Sequence, residues 1–224
     1  MSDTFAEARR RMLEEIGRHA EETKAWTGCE RLSERVAAAM ARVPRHVFVA
    51  EADIGIAYID RPLPIGRGQT ISQPFIVAAM TELLAVEPHH RVLEIGSGCG
   101  YQSAVLAELA DRVFAIERIG ELARAAAERL RRLGYANVEV REGDGYLGWP
   151  EQAPFDRILV AAAPPNIPPA LIEQLRPGGR MVLPIGRIEE VQTLVLGIKH
   201  PDGRFESRRL LPVTFVPLVS DKDG

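Results

Sequence analysis

The regular alternation of short apolar segments with helical segments constrains the fold of this chain more than any other feature of its sequence. The apolar segments are Val92–Ile95, Val113–Glu117, Val138–Val140, Arg157–Ala161 and Arg180–Leu183. Between them, apolar residues recur at helical spacing in Tyr101–Ala110, Glu121–Leu133 and Pro169–Leu175. Alternating strands and helices with apolar strands are typical of a parallel sheet covered by helices on both faces. The sequence therefore predicts a Rossmann-like α/β domain.

The regions on either side of this pattern have a different character. At the C-terminal side, Thr193–Lys199 and Phe205–Val216 flank Pro201-Asp202-Gly203, which predicts a hairpin at one edge of the sheet. On the N-terminal side, amphipathic helices are expected at Thr4–Trp26, from Ser33 to Val43 and from Pro74 to Leu84. We therefore expect residues 1–88 to form an N-terminal helical region, packed on a core of residues 89–224 as one structural domain overall.

The segment Arg61–Ser72, between two of the N-terminal helices, lacks periodicity. Pro62, Pro64, Gly66 and Gly68 all fall within it, and the sequence predicts a long loop. Long loops without secondary structure in compact domains are often functional.

Composition excludes several classes of function. Lys and Arg number 28 against 31 Asp and Glu, a net charge of −3, so nothing indicates the basic face of a nucleic-acid binder. Cys29 and Cys99 form no CxxC and no HExxH pair occurs, so no metal site is expected. No apolar run approaches the ~18 residues that would span a bilayer, and no signal-peptide core is present. We expect a cytoplasmic protein without membrane partners.

A glycine-rich loop leaves the first strand of the alternating pattern and enters a helix. It reads Glu94-Ile-Gly-Ser-Gly-Cys-Gly100, and its glycines let the backbone approach a ligand at the N-terminus of the helix. Glu117 ends the second strand, where an acid can accept hydrogen bonds from ribose hydroxyls. Asp144 and Gly145 follow the third strand, where the acid can meet an adenine edge. Together these features predict a nucleoside site at the strand ends; alternatively, the glycines form only a strand–helix turn.

The spacing of the glycines discriminates between nucleoside ligands. A dinucleotide fingerprint requires glycine at position 101, where this chain has Tyr101. Glu-x-Gly-x-Gly-x-Gly instead resembles the first motif of S-adenosylmethionine-dependent methyltransferases. The fold is then a Rossmann-like methyltransferase sheet, with S-adenosyl-L-methionine as cofactor. The cofactor-binding residues that we predict from the loop and strand ends are Glu94, Gly96, Ser97, Gly98, Glu117, Asp144 and Gly145. For Glu94, a structural role in orienting the loop amides is the alternative.

A second motif precedes the core. Gly68-Gln-Thr-Ile-Ser-Gln-Pro74 closely resembles the protein-L-isoaspartate (D-aspartate) O-methyltransferase family, and the resemblance extends from Val43-Pro-Arg-His46 to Phe215-Val-Pro-Leu218. It implies methyl transfer from S-adenosylmethionine to the free α-carboxylate of L-isoaspartyl residues in damaged proteins, and the sequence leaves open whether D-aspartyl residues are accepted too. The methyl ester then collapses to a succinimide, which begins repair.

The resemblance also implies roles for particular residues. Ser72 matches the active-site serine of the family and Gln73 a cofactor contact, although Ser72 could instead cap the following helix. Thr70 and Ile71 are predicted substrate contacts, as are the backbones of Val213 and Thr214. For Phe215–Leu218, packing at the sheet edge and lining of the peptide cleft are both open. Ala161 stands where the family often has Thr, so a hydroxyl contact expected there is missing.

The chemistry needs no catalytic base, because a carboxylate is already a nucleophile at neutral pH. The partners implied are isoaspartyl peptides and proteins, and we expect a monomer that binds neither nucleic acid nor membrane. Two alternatives remain open from the sequence. One is a methyltransferase for another carboxylate or a small-molecule acceptor. The other is a nucleotide-binding oxidoreductase or a non-catalytic nucleotide-binding module.

Overall fold

The computed structural model describes residues 4–187 and 189–220, which form six α-helices and nine β-strands. The helices are α1 (Ala6–Thr27), α2 (Glu34–Arg42), α3 (Pro74–Leu84), α4 (Tyr101–Ala107), α5 (Gly120–Arg132) and α6 (Pro169–Gln174). The strands are β1 (Leu63–Gly66), β2 (Gln69–Ile71), β3 (Arg91–Ile95), β4 (Arg112–Glu117), β5 (Val138–Glu142), β6 (Phe155–Val160), β7 (Leu175–Ile185), β8 (Gln192–Lys199) and β9 (Phe205–Val213). Among these residues, no helix is both long and apolar enough to cross a membrane.

Seven strands form one sheet in the order β5-β4-β3-β6-β7-β8-β9. The first five in that order run parallel, whereas β8 and β9 are antiparallel to their neighbours. This confirms the predicted Rossmann-like α/β class with an antiparallel C-terminal edge. The strand order reverses between β3 and β6, and in open α/β sheets ligands bind outside the carboxyl ends of the strands at such a point.

The pleat of the strands directs alternate side chains to two hydrophobic clusters. In β3, Val92 belongs to the cluster that also contains residues of α1 to α5, whereas Leu93 and Ile95 belong to the cluster on the other face. Leu171 of α6 packs in that second cluster. Helices therefore cover both faces, and Glu94 shares the face of Val92 because successive strand residues alternate.

The N-terminal helix packs on its own chain. Met12 and Ile16 of α1 are fully buried, in the same cluster as Phe75 and Met80 of α3. Phe5, just before α1, stacks on the ring of His46 with centroids 4.1 Å apart. The apolar stripe of α1 is thus covered within the molecule. The domain division at residue 88 and the monomeric state stay predictions.

The segment 61–72 differs from the predicted long loop. Most of it is a β-hairpin, in which β1 and β2 pair antiparallel with Leu63 opposite Ile71. The glycines that suggested a loop make the turn, since Gly66 and Gly68 have φ angles of +90° and +70°. Pro64 is tolerated because β1 lies at the edge of a two-stranded sheet. The β9 strand also ends at Val213, earlier than the expected Val216.

Candidate active site

The glycine loop between β3 and α4 is fixed by backbone hydrogen bonds to the end of β4. The N–H of Gly96 donates to the carbonyl oxygen of Ile116 at 2.8 Å. The loop is covered by the hairpin: a Cβ added at Gly98 would lie 3.1 Å from Cδ1 of Ile65 in β1. The side chains of Arg67 at the hairpin turn and Glu121 in α5 form an ion pair. The hairpin therefore lies directly over the loop.

Glu117 is buried at the end of β4 and holds two backbone amides. Its Oε2 accepts a hydrogen bond from the N–H of Gly98 at 2.8 Å, and its Oε1 accepts one from the N–H of Ile119 at 2.9 Å. Each carboxylate oxygen has a second lone pair for a further donor. Glu117 can therefore order the glycine loop and still accept hydrogen bonds from the hydroxyls of a ribose.

Asp144 and Gly145 follow β5 and have different roles. A Cβ at Gly145 would lie only 2.4 Å from Cγ2 of Ile95, so the backbone approaches the end of β3 as closely as glycine permits. The carboxylate of Asp144 accepts hydrogen bonds from the N–H of Tyr146 at 2.8 Å and from the hydroxyl of Ser220 at 3.0 Å. Asp144 thus ties the turn after β5 to the C-terminal segment.

These elements surround a cleft with about 670 Å³ of empty volume at the carboxyl ends of the parallel strands. Five predicted site residues line it, namely Thr70, Gly96, Gly98, Glu117 and Gly145. Its other walls include Ile95, Arg118, Ile119, Ala162 and Val219, which were not predicted as binding residues from the sequence, and Val216–Leu218, for which a cleft was one of two open interpretations.

The C-terminal wall of the cleft is held against the end of β6. The N–H of Ala163 donates to the carbonyl oxygen of Val216 at 2.8 Å, and the N–H of Leu218 donates to the carbonyl oxygen of Ala163 at 2.9 Å. Residues 216–218 therefore extend the sheet beside the carboxyl end of β6. The last three residues of Phe215–Leu218 thus both pack at the end of β6 and line the cleft of the glycine loop, and a peptide cleft at this segment stays a prediction.

A second, smaller cavity adjoins this cleft. The two share Thr70, Gly96, Gly98 and Ala161, and Ser72 lines the smaller one. Ser72 is not the N-cap of α3, because Gln73 occupies that position. The side chain of Gln73 makes no capping hydrogen bond to the first turn. Ala161, which stands where the family often has Thr, lines both cavities.

The backbone of Ser72 is held by a buried guanidinium. Nη2 of Arg45 donates to the carbonyl oxygen of Ser72 at 2.8 Å, and Nε donates to the carbonyl oxygen of Ala57 at 2.8 Å. Arg45 has no exposed surface and lies over the ring of Tyr101, 4.8 Å from its centroid. Burial lowers the pKa of Arg45 and raises the pKa of Tyr101 to about 12. Tyr101, which excluded a dinucleotide fingerprint, thus supports the residue that holds Ser72.

Glu94 lies behind the glycine loop and lines neither cavity. It is completely buried, and its Oε2 accepts a 2.5 Å hydrogen bond from the hydroxyl of Ser103 in α4. Burial raises the pKa of Glu94 to about 7, and the nearby charge of Glu117 adds to this. Oε1 of Glu94 and Oγ of Ser97 are buried without a hydrogen-bond partner among the described residues. Two unpaired polar atoms at the base of the loop are suited to a polar ligand group.

Comparison with known proteins identifies the family. A model described as protein-L-isoaspartate(D-aspartate) O-methyltransferase matches residues 27–223. The chain belongs to this family. Protein-L-isoaspartate O-methyltransferase 2 of Polaromonas sp. strain JS666 is 56% identical over 211 residues, covering 94% of this chain and 100% of the relative. Protein-L-isoaspartate O-methyltransferase of Aeropyrum pernix is 51% identical over 224 residues, covering 98% of this chain and 82% of the relative.

Solved structures agree with the isoaspartyl methyltransferase family. One protein-L-isoaspartate O-methyltransferase has a TM-score of 0.82 at 27% identity; the match covers 95% of this chain and 66% of that chain. A second, from Plasmodium falciparum, is a complex with S-adenosyl-L-homocysteine and has a TM-score of 0.79 at 25% identity, covering 94% and 98% of the two chains. The cofactor of the isoaspartyl methyltransferase family is S-adenosyl-L-methionine.

Besides Glu94, four residues that the resemblance to the isoaspartyl methyltransferases assigned to the site lie outside the two cavities, namely Gln73, Asp144, Val213 and Thr214, and their roles stay predictions. Gln73 is half-buried, and its side-chain amide donates to Oδ2 of Asp60 at 2.9 Å. Val213 pairs with Gln192 of β8, and both Val213 and Thr214 line a separate groove beside residues 189–192. A long-range contact such as that between Gln73 and Asp60 leaves no local pattern in the sequence.

Proposed function

We propose that this protein transfers a methyl group from S-adenosyl-L-methionine to the free α-carboxylate of L-isoaspartyl residues in damaged proteins, which begins their repair through a succinimide. The observation that carries the proposal is the junction of the two cavities. The cleft of the glycine loop and Glu117 meets the cavity of Ser72 at Thr70, Gly96, Gly98 and Ala161. A donor and an acceptor bound on either side of this junction would therefore be adjacent.

The residues of the cleft fit the cofactor. Glu117 can accept hydrogen bonds from the ribose hydroxyls, and we propose that Asp144 and the backbone at Gly145 contact the adenine. The hydroxyl of Ser97 lines the smaller cavity and lacks a partner within the described residues, and we propose that it accepts a hydrogen bond from the ammonium of the cofactor. For Glu94, which lines neither cavity, we propose a part in the cofactor site through the glycine loop that it lies behind. Gln73 is proposed as a further cofactor contact. S-adenosyl-L-methionine supplies an electrophilic methyl group on a positively charged sulfur.

Ser72 is the proposed catalytic residue of the acceptor side. Its hydroxyl can donate a hydrogen bond to the substrate carboxylate and aim one oxygen at the junction. It does not need to remove a proton, because the nucleophile is already ionised. Fixing two reactants in line can contribute roughly 7–11 kcal/mol to lowering a barrier. Such a donor also stabilises the reactant carboxylate, so its contribution comes from orientation.

The hairpin provides the dry surroundings. Thr70 and Ile71 precede Ser72 on β2, and we propose that they contact the peptide on either side of the isoaspartyl residue. The tip of the hairpin is joined to α5 through Arg67 and Glu121, and we propose that the hairpin shields the transferred methyl group from water. Val213 and Thr214 are proposed backbone contacts for a peptide that extends beyond the cleft along β9. D-aspartyl residues are proposed as a second substrate.

The test compares two synthetic peptides that differ in one residue, aspartyl in one and L-isoaspartyl in the other. Each is incubated with the protein and with S-adenosylmethionine labelled in the methyl group. We expect base-labile methyl ester on the isoaspartyl peptide alone. Equal labelling of both peptides, or of neither, would reject the proposal. Labelling of a small-molecule acid in place of both peptides would favour the alternative acceptor.

Location and oligomeric state are part of the same proposal. We propose that the protein acts in the cytoplasm as a monomer, a location that its free thiols Cys29 and Cys99 suit. Cell fractionation tests the compartment. Light scattering across a range of protein concentrations tests the monomer, because a dimer would show a mass twice that of the chain.

A further inference from the structure

Asp60 is a buried carboxylate that joins three parts of the molecule. Its side chain has no exposed surface. Oδ1 accepts a hydrogen bond from the N–H of Phe75 at 2.7 Å, and Oδ2 accepts one from the amide of Gln73 at 2.9 Å. Nδ1 of His19 lies 2.6 Å from the same Oδ2. Since a carboxylate can only accept, His19 donates this bond.

The two bonds to Gln73 and Phe75 fix the start of α3. The N-cap residue Gln73 makes no capping bond with its own side chain, so an N–H of the first turn depends on Asp60 for a partner. A negative charge at a helix N-terminus is also favourable because of the helix dipole. Asp60 therefore caps α3 from a distant position in the sequence.

Ser72 lies immediately before this capped turn. Arg45 holds its carbonyl oxygen from one side, and Asp60 holds the next residues from the other. The short segment 72–75 is thus fixed by one buried cation and one buried anion. A shift of this segment would move the hydroxyl of Ser72 relative to the glycine loop, whose backbone is held separately by Glu117.

His19 brings the N-terminal helix into this arrangement. It belongs to α1, most of which precedes the residues matched by the family model. Its ring packs edge-on against Phe75 with centroids 5.3 Å apart, and α1 itself is anchored on α3 by Met12 and Ile16. A buried carboxylate is costly unless donors surround it, and His19 supplies one of three. Helix α1 thereby supports the segment that carries Ser72.

We propose that Asp60 is a positioning residue for methyl transfer and that His19, from α1, completes its function. Asp60 acts on Ser72 through Gln73 and Phe75, without contact to substrate. This inference rests on the proposed function, because Ser72 must orient the substrate for its position to matter. It predicts a loss of turnover that is much larger than any loss of cofactor affinity.

Two pairs of variants separate positioning from general stability. D60A removes both acceptor oxygens. D60N keeps one oxygen that can accept from the N–H of Phe75, and its amide N–H can donate to the side-chain oxygen of Gln73 once the Gln73 amide rotates by 180°. H19A removes the donor, whereas H19N keeps an N–H close to the position of Nδ1. The matched control is H200A, since His200 pairs with Glu206 in the β8–β9 hairpin and is 31% exposed, compared with 34% for His19.

For an isoaspartyl peptide, kcat/KM should fall about 100-fold in D60A and about tenfold in H19A, as expected when a reacting group is misplaced. D60N and H19N should recover most of the loss, and H200A should match the wild type. The dissociation constant of S-adenosylhomocysteine should rise far less than kcat/KM falls, even in D60A, which also frees the side chain of the proposed cofactor contact Gln73. Hydrogen exchange at the amides of Gln73 and of Phe75–Val77 should accelerate in D60A and H19A only.

Several results would overturn the inference. They are wild-type kinetics in D60A, an equal loss of turnover and cofactor affinity in D60A, and an H19A variant indistinguishable from H200A. If the wild-type protein fails to methylate the isoaspartyl peptide, the proposed function is rejected. Hydrogen exchange then still tests whether Asp60 and His19 stabilise the start of α3. Unchanged exchange in H19A would then overturn the role of His19, and faster exchange would support it.

Discussion

The carboxylate of Glu117, at the end of β4, accepts a hydrogen bond from the backbone N–H of Gly98 at 2.8 Å. Gly98 lies in the loop that follows β3, the strand next to β4 in the sheet. The same carboxylate accepts the N–H of Ile119 with its other oxygen. One side chain therefore fixes both the glycine loop and the residue that leads into α5. The cleft takes its shape from these two bonds as well as from the fold of the sheet.

E117Q should weaken cofactor binding. A glutamine has one acceptor oxygen, so either the Gly98 or the Ile119 amide would face an N–H group and lose its partner. An unsatisfied buried amide costs about 1–3 kcal/mol, and 1.4 kcal/mol corresponds to tenfold in affinity. We expect calorimetry with S-adenosylhomocysteine to show a dissociation constant raised about tenfold or more. E128Q, at an exposed position of α5, is the control; equal affinity in E117Q and E128Q would contradict the role of Glu117.

S72A should separate binding from turnover. Loss of the hydroxyl removes a donor that orients the substrate carboxylate, while the glycine loop and Glu117 stay in place. We expect kcat for an isoaspartyl peptide to fall about 10- to 100-fold, with residual activity, since the nucleophile itself is unchanged. The affinity for S-adenosylhomocysteine should not change. S207A, at an exposed site in β9, should behave as wild type, and wild-type turnover in S72A would remove Ser72 from the mechanism.

Glu94 should make the stability of the cofactor-free protein depend on pH. Its pKa is raised from 4.5 to about 7 in the folded state, chiefly by burial. Between these values the folded protein keeps a proton that the unfolded chain has lost, so the free energy of unfolding falls as pH rises through this window. At 1.36 kcal/mol per pKa unit, the loss amounts to about 3 kcal/mol.

The variant E94Q cannot titrate at this position. Denaturant unfolding should therefore show the stability of E94Q relative to wild type increasing from about pH 4.5 to about pH 7 and then levelling off. E173Q changes an exposed glutamate of α6 and should follow the wild-type profile. A constant difference between E94Q and wild type across this range would mean that Glu94 is ionised throughout.

G145A should perturb both stability and cofactor binding. The added Cβ would lie 2.4 Å from Ile95 and 3.0 Å from Leu218, so the walls of the cleft must shift. Overpacking of this kind costs about 1–3 kcal/mol. The control is G17A, because nothing lies within 4 Å of a Cβ at that site in α1 and alanine should stabilise the helix by about 1 kcal/mol. A G145A protein with wild-type stability and cofactor affinity would contradict the tight packing.

The parts of the site that the sequence predicts are those with local signals. The glycine loop is one: Gly96 and Gly98 follow an apolar strand directly and have φ angles of +83° and +53°. Glu117 is another, since it ends the next strand. In each case the strand end and the functional residue are neighbours in the chain, so the sheet topology alone brings them together.

The parts that the sequence did not predict depend on contacts between distant residues. Asp60 and Arg45 have ordinary neighbours in the sequence, and their importance comes from backbone groups of the segment 72–75. For the segment 61–72 the sequence predicts a loop, because proline and glycine are common both in loops and in hairpin turns. Only the pairing of Leu63 with Ile71, seen in the structure, distinguishes a hairpin from a loop. Nothing local in the sequence joins the cleft wall at Val216–Val219 to the glycine loop, and the peptide contacts at Val213 and Thr214 stay a prediction.

Residues 216–219 complete the cleft although they follow all nine strands in the chain. During translation, the glycine loop and Glu117 leave the ribosome well before this wall exists. A nascent chain that has formed its parallel strands would still have an open groove, with low affinity for the methyl donor. The cleft would thus be complete only once residues 216–219 have left the ribosome and docked beside the end of β6, and until then the nascent chain would not turn over the donor.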